Sequence, residues 1–128
     1  MFTSLDFWVW VATALLVLAY GMAGVMKAFR PIPDLAKMMV WPGDVPPALV
    51  RFVGVAEIAG ALGVVLPVLT FILAWLTPLA AAGLSLVQIL AIGFHGQRGE
   101  TARSLPINLI LLALSLFVLW ARRGLLGL

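Results

Sequence analysis

The pattern of apolar and polar positions divides the chain into four long apolar runs separated by polar or proline-containing stretches. A run of about 20 apolar residues is typical of a helix that crosses the roughly 30 Å hydrocarbon core of a bilayer. The boundaries predict helices over residues 7–29, 48–66, 70–94 and 105–121. The predicted fold class is all-α, an integral membrane four-helix bundle of up-down-up-down topology that forms a single domain over residues 1–128.

Prolines mark the ends of the first two runs, because proline cannot continue the hydrogen bonds of a helix interior. Pro31 follows the first predicted helix, and Pro67 is expected to close the second. Between them, residues 34–40 are predicted to form one interfacial helical turn, with Trp41 dipping into the headgroup region. Arg51, near the start of the second helix, is interpreted as an interface anchor.

Two further predictions concern the last two helices. Pro78 is expected to bend the third helix, and Ser104 is expected to cap the fourth, with Pro106 in its first turn. The connection between the second and third helices is very short, so these two helices are expected to be antiparallel neighbours.

Composition confirms lipid as the solvent of these helices. Hydrophobic residues make up 64% of the chain and charged residues 10%. In soluble domains, about half of the residues are apolar and about a quarter are charged. A water-soluble chain of 128 residues could not bury so much apolar surface. The net charge of +3 is not clustered on one face as nucleic-acid binding requires.

The distribution of basic residues predicts the orientation. Arg122 and Arg123 lie beyond the fourth helix, whereas six basic residues lie near the first and third loops. Because basic residues favour the cytoplasmic side, both long loops are expected in the cytoplasm and both termini outside, in a bacterial inner membrane. The six residues are Lys27, Arg30, Lys37, Arg51, Arg98 and Arg103.

Glu57 is the most informative polar residue, since it falls in the middle of the second predicted helix. An ionised carboxylate there costs roughly 2.5–3.5 kcal/mol on insertion scales, so Glu57 must be protonated, paired or next to a wet cavity. Small residues around it permit close approach of another helix. They include the pair Ala56 and Gly60, and Gly24 and Ala28 form a similar pair in the first helix.

Other polar residues fall in the same half of the membrane. Glu57 lies about 13 Å below the first-loop side of its helix. Gln88 and His95 are seven residues apart and share a helix face. Asn108 falls in the first turns of the fourth helix, and Lys27 in the last turn of the first. These five residues are predicted to line a ligand-binding pocket open to the cytoplasm.

Each of these residues also has a structural interpretation. Lys27 would serve as a snorkelling anchor, His95 as an interfacial residue, and Gln88 as a bridge between helices. Asn108 would bond its own backbone near the helix start, and a Lys27–Glu57 ion pair would serve packing alone.

The residue content limits the chemistry. One histidine cannot supply the paired axial ligands of a membrane haem, and the absence of cysteine removes disulfides and thiolate ligands. No metal site is predicted. The cofactor is unknown, and a quinone is the candidate.

Several segments together resemble a known family over nearly the whole chain. They are Gly24-Val25-Met26-Lys27, the stretch from Arg51 to Gly63 around Glu57, His95, Gly99-Glu100, and Pro106 with Asn108. The chain is similar to the DoxX-like family of small bacterial four-helix membrane proteins. The family takes its name from subunits of a thiosulfate:quinone oxidoreductase, and relatives are linked to oxidative-stress, electron-supplying or chaperone-like membrane roles. The resemblance implies functional positions at Lys27, Glu57 and His95.

Three functions are consistent with these features. The first is a non-catalytic subunit of a membrane redox system, or a binder of a quinone-like lipophilic molecule, with its pocket at Glu57. The second is a small membrane enzyme in which Glu57 and His95 are the catalytic acid and base on a hydrophobic substrate. The third is an assembly or structural protein. Besides the lipid bilayer, the small-residue faces predict a homodimer or a membrane partner subunit.

Overall fold

The computed structural model describes residues 4–99 and 101–127, with all of their side chains except those of residues 101–104. The described residues form α-helices and two short 3-10 helices and contain no β-strand. Four helices are long and apolar enough to cross a membrane, which confirms the all-α class. The helices are α1 (Ser4–Phe29), α2 (Ile32–Met39), α3 (Pro47–Thr70), α4 (Leu76–Gln97) and α5 (Thr101–Arg122), and the 3-10 helices are Trp41–Gly43 and Arg123–Leu126.

The four long helices pack in a ring in which α1 contacts α3, α3 contacts α4, α4 contacts α5 and α5 returns to α1. Gly60 of α3 lies against Leu84 of α4, and Gly63 lies against Ala80. Residue numbers rise along one helix as they fall along the other, so α3 and α4 are antiparallel neighbours. The complete up-down-up-down order stays a prediction. The buried core of the ring comprises Ala12, Leu16, Tyr20, Ala61, Val64, Ala81, Leu84 and Val118.

The link between α3 and α4 differs from the sequence prediction. Pro67 does not close the helix, because α3 continues to Thr70 with Pro67 buried inside it. In lipid a broken helix would expose many unsatisfied backbone groups, whereas continuing the helix through a proline loses one hydrogen bond. Pro78 lies in the first turn of α4, which begins at Leu76. Backbone N–H groups in the first turn of a helix have no helical partner, so Pro78 removes no hydrogen bond there and gives no reason for a bend.

The start of α5 also lies earlier than predicted. The helix begins at Thr101 and contains Pro106 in its interior, so the expectation that Ser104 caps it is wrong. The carbonyl that loses its partner to Pro106 lies in the first turn, near the aqueous end of the helix, where water can satisfy it. The side chain of Ser104 and residue Glu100 lie outside the described residues.

The predicted helical turn between α1 and α3 is present as α2, which is slightly longer than predicted, and its interfacial position stays a prediction. Its Leu35 is fully buried against Trp41 and Val50, which fixes α2 to the end of the bundle. A tight turn follows at Val40, whose φ of 69° is uncommon for a β-branched residue. This turn directs the chain back towards the bundle.

Candidate functional site

The site is centred on an ion pair between two spanning helices. The Lys27 Nζ, in the last turn of α1, lies 2.6 Å from the Glu57 Oε1 in the middle of α3. The two side chains are only 15% and 4% exposed. The carboxylate in the membrane is therefore paired, which is one of the three states expected from its cost of burial.

A close crossing of α1 and α3 brings this pair together. A Cβ added at Gly54 would lie 2.5 Å from the Ala28 backbone nitrogen and 2.8 Å from the Gly24 carbonyl oxygen. The backbones are thus in direct contact, and Lys27 and Glu57 each follow one turn after a crossing glycine. The prediction that Gly24 and Ala28 meet another helix is confirmed. Gly60, the other predicted small residue near Glu57, contacts Leu84 of α4 and not α1.

A cavity of about 410 Å³ adjoins the ion pair. Side chains from all four spanning helices and Trp41 line it, and the five residues predicted from the sequence are all among them. The cavity lies between α3 and α4, on the side of the Gly60–Leu84 contact that is nearer the start of α3 and the end of α4. The lining residues are Ala19, Tyr20, Ala23, Lys27, Trp41, Leu49, Phe52, Val53, Ala56, Glu57, Val87, Gln88, Leu90, Ala91, Phe94, His95, Asn108 and Leu111.

Trp41 covers the loop end of this cavity. Its side chain is 9% exposed, and its ring meets Phe94 edge to face at 5.8 Å between centroids. The Lys27 Nζ lies 5.7 Å from the same ring, within range of a cation–π contact. Trp41 is therefore buried against the bundle after the turn at Val40, and its depth relative to the headgroup region stays a prediction.

The sides of the cavity are more open than its loop end. Phe52 of α3 and Leu90 of α4 line the cavity, and yet they are 69% and 63% exposed. Residues that are both cavity-lining and exposed mark the mouth, which therefore faces sideways between two spanning helices. The expected opening to the cytoplasm stays a prediction, since Leu49 at the loop end of α3 also lines the cavity and is 43% exposed.

Two polar atoms in the cavity lack a hydrogen-bond partner among the described residues. They are the Gln88 Oε1 and the Asn108 Nδ2, in side chains whose residues are 5% and 7% exposed. A buried polar atom left unsatisfied costs about 1–3 kcal/mol, and native structures contain few of them. One acceptor and one donor are thus available to a polar group inside the cavity.

Tyr20 is a further polar residue of the site that the sequence interpretation missed. It is buried, lines the cavity and donates from its hydroxyl to the Leu84 carbonyl at 3.4 Å. The side chains of Gln88 and Ser115 lie beside the same hydroxyl. Its spacing of seven residues before Lys27, on the same helix face, could have identified it.

Two arginines hold the surrounding elements in place. Arg51 is not a simple interface anchor, because its Nη1 donates to the backbone carbonyls of Lys27 and Arg30 at the end of α1. Such carbonyls have no helical partner. Arg98 donates to Asp44 at 2.7 Å and lies over the Phe94 ring. The loop that carries Trp41 is thereby tied to α4.

The cavity combines an apolar wall with charged and neutral polar groups. Lys27 and Asn108 offer donors, Glu57 and Gln88 offer acceptors, and the His95 ring lies at the same end. Among the described residues, no group of three or more His, Cys, Asp or Glu side chains could hold a metal ion. The arrangement suits an organic molecule with a small polar head.

Comparison with known proteins adds the family. The sequence profile of the DoxX-like family matches residues 11–118, a region that contains all five predicted site residues. No curated protein and no solved structure gives a significant match.

Proposed function

Because this integral membrane protein belongs to the DoxX-like family, we propose that it binds a quinone-like lipophilic molecule as a non-catalytic subunit of a membrane redox system. The observation that carries this proposal is the cavity beside Lys27 and Glu57, where the Gln88 Oε1 and the Asn108 Nδ2 lack hydrogen-bond partners in the part of the chain that the structure describes. These groups are concentrated in a bundle whose surface is otherwise mostly apolar.

The size and polarity of the cavity support a small organic ligand. Its volume of about 410 Å³ falls within the roughly 300–1,000 Å³ typical of ligand pockets. A ring with oxygen substituents would accept from Asn108, and its reduced hydroxyl form would donate to Gln88. Each bond would remove the cost of an unsatisfied buried polar atom.

The sideways mouth supports a ligand that is dissolved in the bilayer. Phe52 and Leu90 present apolar side chains at this mouth, and Trp41 covers the loop end. A molecule with a polar head and an apolar tail would enter between α3 and α4, and its tail would remain in contact with lipid.

Binding is testable through the fluorescence of Trp41. The protein is reconstituted in lipid nanodiscs and titrated with decylubiquinone, a quinone that quenches nearby tryptophan. We expect saturable quenching that Trp41→Phe largely abolishes. Gln88→Met and Asn108→Leu should each weaken binding about tenfold, which corresponds to roughly 1.4 kcal/mol.

Gln97→Met is the matched control, since Gln97 is an exposed amide at the end of α4 and does not line the cavity. It should bind like the unchanged protein. Quenching that never saturates, or identical affinities for the Gln88 and Asn108 variants and the control, would contradict the proposal.

A structural role is the second candidate, and the direct 2.6 Å contact between Lys27 and Glu57 favours it. In this role the pair would hold α1 on α3, and the cavity would remain without a specific ligand. Catalysis by Glu57 and His95 stays a hypothesis, and the contact with Lys27 occupies one carboxylate oxygen of Glu57.

We also infer the cellular setting. The excess of basic residues near the first and third loops supports a bacterial inner-membrane location with both termini outside. A homodimer or a partner subunit is proposed from the small size of the chain alone, because Gly24, Ala28 and Gly60 pack against other helices of the same bundle.

A further inference from the structure

A second concave surface lies on the outside of the bundle, between α1 and α3. It is an open groove of about 620 Å³, and none of its lining residues belongs to the cavity beside Glu57. Its α1 side includes Leu18, Gly21, Met22 and Arg30, and its α3 side includes Leu62. The proposed function does not use it.

Two small residues, Gly21 and Ala61, create the groove. A Cβ built on Gly21 would meet no heavy atom within 4 Å in the described part of the chain, and Ala61 forms part of the lining opposite it. The side chains of Leu18 and Met22 project from the bundle on either side of this low region, and they are 61% and 66% exposed. The result is an apolar channel that faces the hydrocarbon of the bilayer.

The groove has the dimensions of one lipid chain. Its lining runs from Val17 of α1 to Arg30, just beyond the end of the helix, which is about 20 Å at a rise of 1.5 Å per residue. One leaflet contributes roughly half of a 30 Å hydrocarbon core. A single acyl chain, aligned with α1, would therefore fit along the groove within one leaflet.

The groove ends at a positive charge. Arg30 follows the last residue of α1, is exposed and lines the groove. Its guanidinium donates to the Met38 sulfur at 3.9 Å, and among the described residues it makes no ion pair. Because α1 spans the membrane by length and composition, a charged side chain just beyond its end is expected near the lipid headgroups.

Arg51 removes an obstacle to an anion at this position. The end of a helix carries a partial negative charge from its unpaired carbonyls, which would repel a phosphate. Arg51 donates to the carbonyls of Lys27 and Arg30, and it adds a second guanidinium at the same helix end. The local field at the end of the groove is therefore positive.

We propose that the groove between α1 and α3 binds one anionic phospholipid, with an acyl chain lying over Gly21 and the phosphate at Arg30. The apolar lining and the positive end match the two parts of such a lipid. A second copy of the chain would match the apolar lining alone and would leave the charge of Arg30 unused.

Native mass spectrometry tests the proposal. The protein is purified in detergent with equal amounts of phosphatidylglycerol and phosphatidylcholine. We expect one phosphatidylglycerol to be retained about fivefold more often than phosphatidylcholine, as expected for one basic residue at an anionic surface. Arg30→Gln should remove this preference, and Gly21→Leu should remove retention of both lipids.

Two variants serve as controls. Gly83→Leu fills open space on the exposed side of α4, and Arg123→Gln removes a charge from the opposite end of the bundle. Both should retain phosphatidylglycerol, and so should Gln88→Met, which alters only the cavity. The lipid site can therefore fail while quinone binding stands, and the reverse also holds.

Three results would overturn the proposal. They are equal retention of the two lipids by the unchanged protein, unchanged retention by Gly21→Leu, and a dimer that Gly21→Leu dissociates. The last result would identify a second copy of the chain as the occupant of the groove.

Discussion

Glu57 and Lys27 come from different helices and form an ion pair at the centre of the site. Lys27 reaches Glu57 from one end of α1, and its Nζ also lies near the Trp41 ring. A buried pair stabilises a protein less than its contact distance indicates, because both charges lose hydration. Removing one partner is different, since the remaining charge is then buried without compensation.

We expect Glu57→Gln to lower the thermal unfolding temperature of the protein in detergent. The amide keeps the shape of the side chain but leaves the Lys27 ammonium without a counter-charge, at a cost of up to about 3–5 kcal/mol that partial exposure of Lys27 reduces. Lys27→Met, added to Glu57→Gln, should restore part of the loss. Thermal melts of the two single variants and the double variant measure the coupling. Strictly additive effects would show that the two side chains do not interact.

At the scale of elements, the crossing of α1 and α3 is the contact on which the site depends. Sequence periodicity placed Gly24 and Ala28 on one face, but it did not identify Gly54 as their partner. Several small residues along α3 are equally suitable in the sequence. The structure selects Gly54 because a side chain there would meet backbone atoms of α1.

Gly54→Ala should therefore destabilise the bundle. The added methyl group would meet the backbone of Ala28 and Gly24, which cannot move aside as a flexible side chain can. Overpacking of this kind costs about 1–3 kcal/mol, against a gain of about 1 kcal/mol in helix propensity. Gly93→Ala is the control, because open space surrounds that position in α4. A melting temperature for Gly54→Ala at or above that of Gly93→Ala would contradict the close crossing.

The whole molecule has polar or aromatic anchors at both ends of the bundle. At the end opposite the cavity, the Arg122 guanidinium lies 5.0 Å from the Trp10 ring and that of Arg123 lies 4.9 Å from the Trp120 ring. Aromatic and basic residues of this kind anchor helices at the membrane surface. They oppose the orientation expected from the larger set of basic residues, so orientation requires a measurement.

Single-cysteine labelling provides this measurement, because the chain contains no cysteine. We expect Asp34→Cys, in the exposed part of α2, to be protected from a membrane-impermeant maleimide in intact cells and labelled after lysis. A cysteine added after Leu128 should be labelled in intact cells. Six basic residues near the first and third loops against two at the C-terminus give this orientation. The opposite labelling pattern would mean that the Arg122–Arg123 pair determines the topology.

The sequence by itself determined the four spanning helices and the all-α class, and it singled out five polar residues that line the cavity. Run length identifies a span because a bilayer has a fixed thickness. Helical rise places Glu57 and Gln88 at similar depths, and helical period places Gln88 and His95 on one face of their helix. Only the tertiary structure placed Trp41 over the cavity, selected Gly54 as the crossing and opened the groove at Gly21. In lipid, apolar side chains are equally stable inside and outside the bundle, as the exposure of Phe52 and Leu90 illustrates. Hydrophobicity therefore fixes which segments cross the membrane, whereas shape decides how they pack.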